Sequence, residues 1–339
     1  MSNAGVSEKY TAIGDAEAEE LLKRSLSEIG ERLSGSGLSV YLGGSYGRGD
    51  GGVRQDRENG ILYNDLDLFV FARKKSVCAE KSLKEIAGKY EHLLKVDVDF
   101  SSVMNIRDIK KNAGRLMMQE LKRGYRLVCG EDLLEKYLPE IPAEKLPFSE
   151  ACRLLLNRGM GLLLAGEKIA ENSPDHDFIL RNINKAVLGA GDAVLISRQQ
   201  YKWSLSERPD AVRASDLPGD FKELYAAAVE FKKSPRRNVS AELDKQWRSV
   251  RDMFIHCMAE IGGNNGDALY RQCESSGEVS LKNFMKYCVK CRTFPESAWK
   301  LHTAPAVAVL LPELYRTLKD MHSKSICSSK LYRQWLIFN

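Results

Sequence analysis

Acidic side chains recur at alternate positions in two apolar stretches of the sequence. Asp65 and Asp67 lie in the stretch DLDLFVF, and Asp97 and Asp99 lie in VDVDF. Residues i and i+2 of a β-strand project from the same face, so each pair would present two carboxylates together. Burying these carboxylates among apolar side chains would cost several kcal/mol each unless cations neutralise them. The pattern therefore predicts a divalent metal site.

A glycine-rich turn precedes the acidic stretches. Gly43, Gly44 and Ser45 follow the apolar run LSVYL, and Arg48 lies three residues further on. Glycine lets the chain approach a phosphate closely and exposes its backbone N–H groups, and a serine hydroxyl adds a donor. We predict that these four residues contact a phosphate-bearing cofactor.

The turn and the carboxylates together match what phosphoryl transfer requires. Two Mg²⁺ ions about 3.5 to 4 Å apart can share a carboxylate, one activating the attacking oxygen and the other stabilising the leaving pyrophosphate. Mg²⁺ prefers oxygen ligands and retains some water, so a few aspartates and the substrate phosphates complete its coordination. The residues favour an enzyme that depends on Mg²⁺ or Mn²⁺ and acts on a nucleoside triphosphate, with ATP as the expected substrate.

In this order the residues resemble the DNA polymerase β superfamily of nucleotidyltransferases. That family has Gly-Ser or Gly-Gly, a spacer, Asp-x-Asp, and a third acidic residue on a neighbouring strand. The resemblance covers roughly residues 16–132. It implies that Asp65 and Asp67 are metal ligands and that Ser45 contacts the triphosphate. The third ligand is open between Asp97 and Asp99, although the segment that follows Asp99 aligns slightly better with the family's strand.

The spacer departs from the family pattern. Nineteen residues separate Ser45 from Asp65, more than is common in the family, and Asn64 stands where the family often has Ser or Thr. The polar, glycine-rich residues 49–60 are predicted to form a solvated loop inserted before the metal-binding strand. The alternative is a mobile lid over the nucleotide, with Arg54 and Arg57 reaching its phosphates.

A small α/β framework is needed to position these residues. Hydrophobic periodicity predicts helices over residues 15–33 and 79–94, and strands over residues 38–42, 61–72 and 96–103. We predict that this unit closes near Gly130.

The second half of the chain has a helical pattern throughout. Helices are predicted over residues 152–170, 178–198, 221–233, 241–261, 280–290 and 306–321. The predicted fold class is an α+β N-terminal nucleotidyltransferase domain with a small mixed sheet, over residues 5–145. An all-α C-terminal domain is predicted to follow it, over residues 146–339.

Composition excludes several other classes of protein. The 339 residues are 43% hydrophobic and 29% charged, which is typical of a soluble globular protein with about two domains. No run of roughly 18 apolar residues and no secretory signal is present, so a cytoplasmic location without a membrane partner is expected. Residues 151–339 carry 28 basic and 21 acidic residues, an excess too small for a dedicated nucleic-acid arm. The eight cysteines are expected to be reduced thiols.

Other candidate sites in the second half are weaker. Lys185 lies on a predicted helix and could contact nucleotide phosphates, although a surface lysine beside a cluster containing Tyr201 and Trp203 is the simpler interpretation. Cys288 and Cys291 have zinc-like spacing, but no second closely spaced pair accompanies them, which favours two ordinary thiols.

The predicted activity is metal-dependent transfer of a nucleoside monophosphate from a triphosphate to a hydroxyl acceptor, with release of pyrophosphate. Asp97 or Asp99 would help to deprotonate the acceptor. Because no RNA-binding module is evident, a small-molecule or protein acceptor is favoured over RNA. Two alternatives belong to other classes: a catalytically silent regulatory or binding protein, such as one half of a toxin–antitoxin pair, and an RNA-binding protein that uses the basic helical half.

Overall fold

The computed structural model of the protein describes six stretches of the chain. These are residues 9–55, 60–73, 79–235, 242–262, 306–320 and 330–338. The chain divides into two compact units. The first comprises Met1–Pro142 and Val229–Arg237, and the second comprises Ala143–Ala228 and Asn238–Asn339. The predicted helix over residues 280–290 and the Cys288/Cys291 pair lie outside the described residues.

The first unit is built on a four-stranded mixed sheet. Its strands are β1 (Leu38–Leu42), β2 (Leu66–Ala72), β3 (Val98–Phe100) and β4 (Arg126–Cys129). Their spatial order is β3-β2-β1-β4. β1 runs antiparallel to both β2 and β4, whereas β2 and β3 are parallel. The predicted α+β fold with a small mixed sheet is confirmed.

Helices cover both faces of this sheet. They are α1 (Ala16–Leu33), α2 (Gly44–Arg48), α3 (Ala79–Leu94), α4 (Ile106–Lys111), α5 (Leu116–Arg123) and α6 (Leu133–Tyr137). Leu66, Leu68 and Val70 of β2 belong to a buried apolar cluster formed with α1 and α3. Phe71, one position out of phase with them, packs in a second cluster formed with α4, α5 and α6. Because alternate residues of β2 face opposite sides of the sheet, this strand contributes side chains to both apolar clusters.

Local sequence accounts for the longer helices of this unit. The Asp15 side chain accepts a hydrogen bond from the backbone N–H of Ala18 at 3.1 Å and so caps α1. Glu17 and Glu19 lie in the first turn, where the helix dipole favours negative charge. The helices predicted over residues 15–33 and 79–94 are confirmed.

The strands differ more from the prediction. β2 begins at Leu66 rather than at residue 61, and β3 has only three residues. β4, α4 and α5 were not predicted. Each of these missed elements is eight residues or shorter, and such a stretch is too brief for its periodicity to separate it from a loop.

The described elements of the second unit are helices. They are a 3₁₀ turn (Ala143–Lys145), α7 (Phe148–Ala170), α8 (His176–Ser197), α9 (Arg208–Arg213), α10 (Gly219–Lys233), α11 (Leu243–Gly262), α12 (Ala306–Lys319) and α13 (Lys330–Phe338). α7 and α8 pack along each other, and α11 packs against both. The indole N–H of Trp247 on α11 donates to the Leu162 carbonyl of α7 at 2.8 Å. The last residues of α10, from Val229, belong to the first unit.

A buried ion pair fixes the segment between α8 and α9. The Asp192 carboxylate accepts hydrogen bonds from Arg208 Nη1 at 3.0 Å and from the Tyr225 hydroxyl at 2.6 Å. The Arg208 guanidinium also lies 4.6 Å from the centre of the Tyr201 ring. These contacts give the aromatic cluster a structural role in the second unit.

Two findings bear on the class of protein. Within the residues that the structure describes, no helix has both the length and the hydrophobicity needed to span a bilayer. Cys129 and Cys257 are free thiols.

Candidate metal and nucleotide site

The register of the two parallel strands brings the predicted carboxylates together. Asp67 of β2 lies directly opposite Asp99 of β3. Asp65 and Asp97 each lie two positions earlier, and the backbone N–H of Leu66 donates to the Asp97 carbonyl at 2.8 Å, so the pairing extends to this end. Because paired residues of parallel strands share a face, Asp67 and Asp99 project together, and Asp65 and Asp97 lie just before the two strands. We call these four residues the carboxylate group.

The expected burial of these carboxylates was wrong. Asp65 and Asp67 are half-buried, and Asp97 and Asp99 are exposed. Strand alternation sends Leu66 into the core, where it is 0% exposed, and leaves the aspartates on the opposite face. Desolvation alone therefore does not require a cation here, and the argument for a metal depends on the mutual repulsion of the carboxylates.

At Asp99 this repulsion is the smaller of two contributions. Its pKa is raised above the ordinary value, first because its carboxylate has lost part of its water and then by the negative charges of Asp65, Asp97 and Glu91. Glu91 was not among the predicted residues. It reaches the group from α3, where its carboxylate accepts a hydrogen bond from the backbone N–H of Val98 at 3.4 Å. A bound cation would stabilise this concentration of negative charge.

The glycine turn lies against one of these carboxylates. The backbone N–H of Gly43 donates to the Asp67 carbonyl at 2.9 Å, and α2 begins at the next residue. Gly44 has a φ of +61°, and a Cβ atom at this position would overlap the Asp67 carboxylate. Only glycine accommodates both this backbone conformation and so close an approach. The predicted turn, in the structure a short helix, therefore forms one wall of the carboxylate group.

The other predicted cofactor-binding residues differ in their surroundings. Ser45 is half-buried in the same short helix as Gly44. The Arg48 guanidinium pairs with Asp50 at 3.5 Å and with Glu120 at 3.4 Å, contacts that give it a structural role. Lys185 lies on α8 in the second unit. The nucleotide contacts predicted for these three residues stay predictions.

The inserted spacer is not the solvated loop that was expected. Val53 and Leu62 form an antiparallel bridge, and the backbone N–H of Arg54 donates to the Ile61 carbonyl at 2.8 Å. Val53 is 2% exposed, Arg54 9% and Leu62 0%. The few apolar residues within the spacer are therefore buried with these two segments, which a count of the polar residues in the spacer did not reveal. Residues 56–59, and Arg57 with them, lie outside the described residues.

Tyr46 organises the same region and was not predicted. Its hydroxyl donates to the Gly52 carbonyl at 3.0 Å and accepts from the backbone N–H groups of Tyr63 at 3.0 Å and Asn64 at 3.2 Å. The Asn64 side-chain oxygen in turn accepts from the Gly52 N–H at 2.7 Å. The signal in the sequence is a large aromatic residue between glycines in GSYGRG, because such a side chain needs a buried place to pack.

Comparison with known proteins leaves the site to be judged on its own geometry. No protein-family model matches the chain, and a search of curated proteins finds no match. Among the described side chains, no three His, Cys, Asp or Glu residues form a ready-made metal cage. Mg²⁺ is often held by one or two carboxylates, with substrate phosphates and water completing its coordination. The opposed Asp67 and Asp99 carboxylates fit that mode of binding.

Proposed function

We propose that this protein is a metal-dependent nucleotidyltransferase. It would transfer a nucleoside monophosphate from a nucleoside triphosphate, with ATP favoured, to a hydroxyl acceptor and release pyrophosphate. The observation that carries the proposal is the position of Asp67, opposite Asp99 on the next strand and against the Gly44 backbone. This arrangement places paired carboxylates beside a glycine turn, which are the two parts that the reaction needs.

Asp67 and Asp99 are the residues proposed to hold Mg²⁺ or Mn²⁺, with Asp65 beside them and Asp97 as the alternative third ligand. When bound, the metal would supply neutralisation of the phosphate charge during transfer. Without it, the carboxylates would repel a triphosphate, because like charges at short range oppose each other. The sequence resemblance to the polymerase β superfamily implies Asp65 and Asp67 as ligands, with Asp97 or Asp99 as the third.

The remaining roles fall to groups of the glycine turn and to one carboxylate. Ser45 would donate its hydroxyl to the triphosphate, and the glycine turn would offer backbone N–H groups to its phosphates. Asp99 would accept the proton of the acceptor hydroxyl, so that the oxygen attacks the α-phosphorus as the bond to pyrophosphate breaks.

The first experiment measures nucleotide binding by calorimetry. ATP is expected to bind in the presence of Mg²⁺ or Mn²⁺ and to lose that binding in EDTA. Equal affinity with and without the metal would contradict the proposal, since it would mean that the carboxylates do not act through a cation.

The second experiment measures transfer of label from α-³²P nucleoside triphosphates to a cell extract. Asp67→Asn is expected to reduce labelling to background and to keep a folded structure by circular dichroism. Asp210→Asn is the matched control, because Asp210 lies on α9 in the second unit and its side chain is 79% exposed. Labelled small molecules, protein or RNA would identify the acceptor class. No labelling by the wild-type protein with any triphosphate would favour the catalytically silent alternative.

A further inference from the structure

Tyr46 forms a complete hydrogen-bonding centre in the interior of the first unit. The residue is 0% exposed, and its hydroxyl makes one donated and two accepted hydrogen bonds, all to backbone groups. A hydroxyl has one proton and two lone pairs, so this one is fully used. Burial raises the pKa of Tyr46 above its ordinary value, which keeps the proton on the oxygen and preserves the donated bond.

Two partners of this hydroxyl lie just before β2, the strand that carries Asp67. The Tyr63 and Asn64 N–H groups belong to the two residues immediately before Asp65. At its other end, Tyr46 is joined to the glycine turn, since it follows Gly44 by two residues in the same short helix. One side chain therefore connects the turn that contacts Asp67 with the backbone that carries Asp65.

A second contact reinforces this connection. The carbonyl of Gly52 accepts from Tyr46, and its N–H donates to the Asn64 side chain. Both polar groups of Gly52 are thus held by side chains from the first and last residues of the spacer, and its carbonyl also accepts from the Tyr63 N–H at 3.3 Å. The hairpin that follows Gly52 is closed by the Val53–Leu62 bridge. The spacer consequently serves as a brace between the glycine turn and Asp65.

We propose that Tyr46 is a positioning residue for the carboxylate group, and that its hydroxyl sets where Asp65 lies relative to Asp67 and the glycine turn. This inference rests on the proposed metal-dependent function. Four like charges repel each other. Carboxylates that are to bind a cation therefore need a backbone that is fixed by contacts with other residues. A neutral hydroxyl bonded to the adjacent amides does this without adding charge.

Tyr41 provides a closely matched control. It is also 0% exposed, and its hydroxyl donates to the Glu131 carbonyl at 2.8 Å and accepts from the Leu133 and Leu134 N–H groups at 2.6 and 3.4 Å. It therefore has the same chemistry and burial as Tyr46 in the same unit, but its partners are at the start of α6. Without the hydroxyl, the Tyr63 and Leu133 N–H groups keep their bonds to the Gly52 and Glu131 carbonyls, at 3.3 and 2.9 Å, so each variant mainly loses the acceptor for one amide, that of Asn64 or of Leu134.

The experiment compares Tyr46→Phe with Tyr41→Phe by titration with Mn²⁺ in the presence of a non-hydrolysable ATP analogue, with free Mn²⁺ measured by electron paramagnetic resonance. Both variants are expected to melt at a lower temperature than the wild type. Only Tyr46→Phe is expected to weaken Mn²⁺ binding, by about 10- to 100-fold, as is usual when support for metal ligands is lost. The titrations are run well below both melting temperatures, so that stability alone does not change the affinity.

Asn64→Ala gives an independent test, because it removes the acceptor for the Gly52 N–H and keeps the tyrosine. We expect this variant to bind Mn²⁺ more weakly than the wild type. If Tyr46→Phe does not fold, the Mn²⁺ affinity of Asn64→Ala is the test of the positioning role. Wild-type affinity in Tyr46→Phe, or in Asn64→Ala where only that variant folds, would overturn the positioning role and leave the metal site standing. Wild-type protein that binds no Mn²⁺ would overturn the proposed function and this inference together.

Discussion

The carboxylate of Asp67 occupies the space that a side chain on Gly44 would fill. The two residues are 23 positions apart in the sequence, on β2 and at the start of α2. This contact joins the two motifs that the sequence presents separately, a glycine turn and an acidic strand. The contact also disfavours any side chain at position 44 for a steric reason, in addition to the positive φ of the backbone.

Gly44→Ala is expected to unfold at a lower urea concentration than the wild type. The left-handed backbone costs about 1–2 kcal/mol for a non-glycine residue, and the overlap with Asp67 adds about 1–3 kcal/mol of crowding. Gly35→Ala is the control, since Gly35 has a φ of +74° and an added Cβ would meet no atom within 4 Å. Equal losses of unfolding free energy in the two variants would show that the contact with Asp67 costs nothing.

The third metal ligand is expected to be Asp99 rather than Asp97. Asp99 lies directly opposite Asp67, whereas Asp97 precedes the paired residues of β3. Asp99→Asn should weaken Mn²⁺ binding by about 10-fold or more, and Asp97→Asn should weaken it less. Calorimetric titration of both variants in parallel checks this. The reverse order of affinities would assign the ligand to Asp97.

Asp99 should also make the stability of the metal-free protein depend on pH. Its pKa in the folded state is raised from the ordinary 3.8, so the folded protein binds this proton more tightly than the unfolded chain does. The contribution of Asp99 to stability therefore falls as the pH rises from the unfolded pKa through the folded one. In EDTA, Asp99→Asn is expected to melt above the wild type at pH 7, with the difference shrinking as the pH falls through the raised folded pKa towards the unfolded value of 3.8. A difference that is constant with pH would contradict this.

Asp192→Asn is expected to destabilise the second unit strongly. The change leaves the Arg208 guanidinium buried without its counter-charge, which typically costs about 3–5 kcal/mol. Asp210→Asn breaks an exposed pair with Arg213 and should cost less than about 1 kcal/mol. Urea unfolding followed by circular dichroism measures both. Similar small losses would mean that the Tyr201 ring and the Lys202 and Trp203 carbonyls, which accept hydrogen bonds from the guanidinium, suffice to hold Arg208.

The sequence by itself determined the elements whose apolar spacing and capping residues lie within one short stretch of the chain. The apolar spacing and the Asp15 cap of α1 lie within the helix and its first turn, so its bounds were predicted to within one residue. The run Leu38–Leu42 was likewise predicted as a strand and is β1. The alternation of Asp65 and Asp67 predicted a strand here, and Asp67 lies in β2, which begins one residue after Asp65.

Tertiary structure alone decided how these elements form a site. Strand register sets Asp99, rather than Asp97, opposite Asp67, and no pattern within either strand encodes it. The burial of Arg54 and Leu62 depends on a hairpin that polar composition concealed. Tyr46 meets its amide partners 17 and 18 residues along the chain. Such contacts exist only when distant segments are packed together, because each residue's local sequence is compatible with many partners.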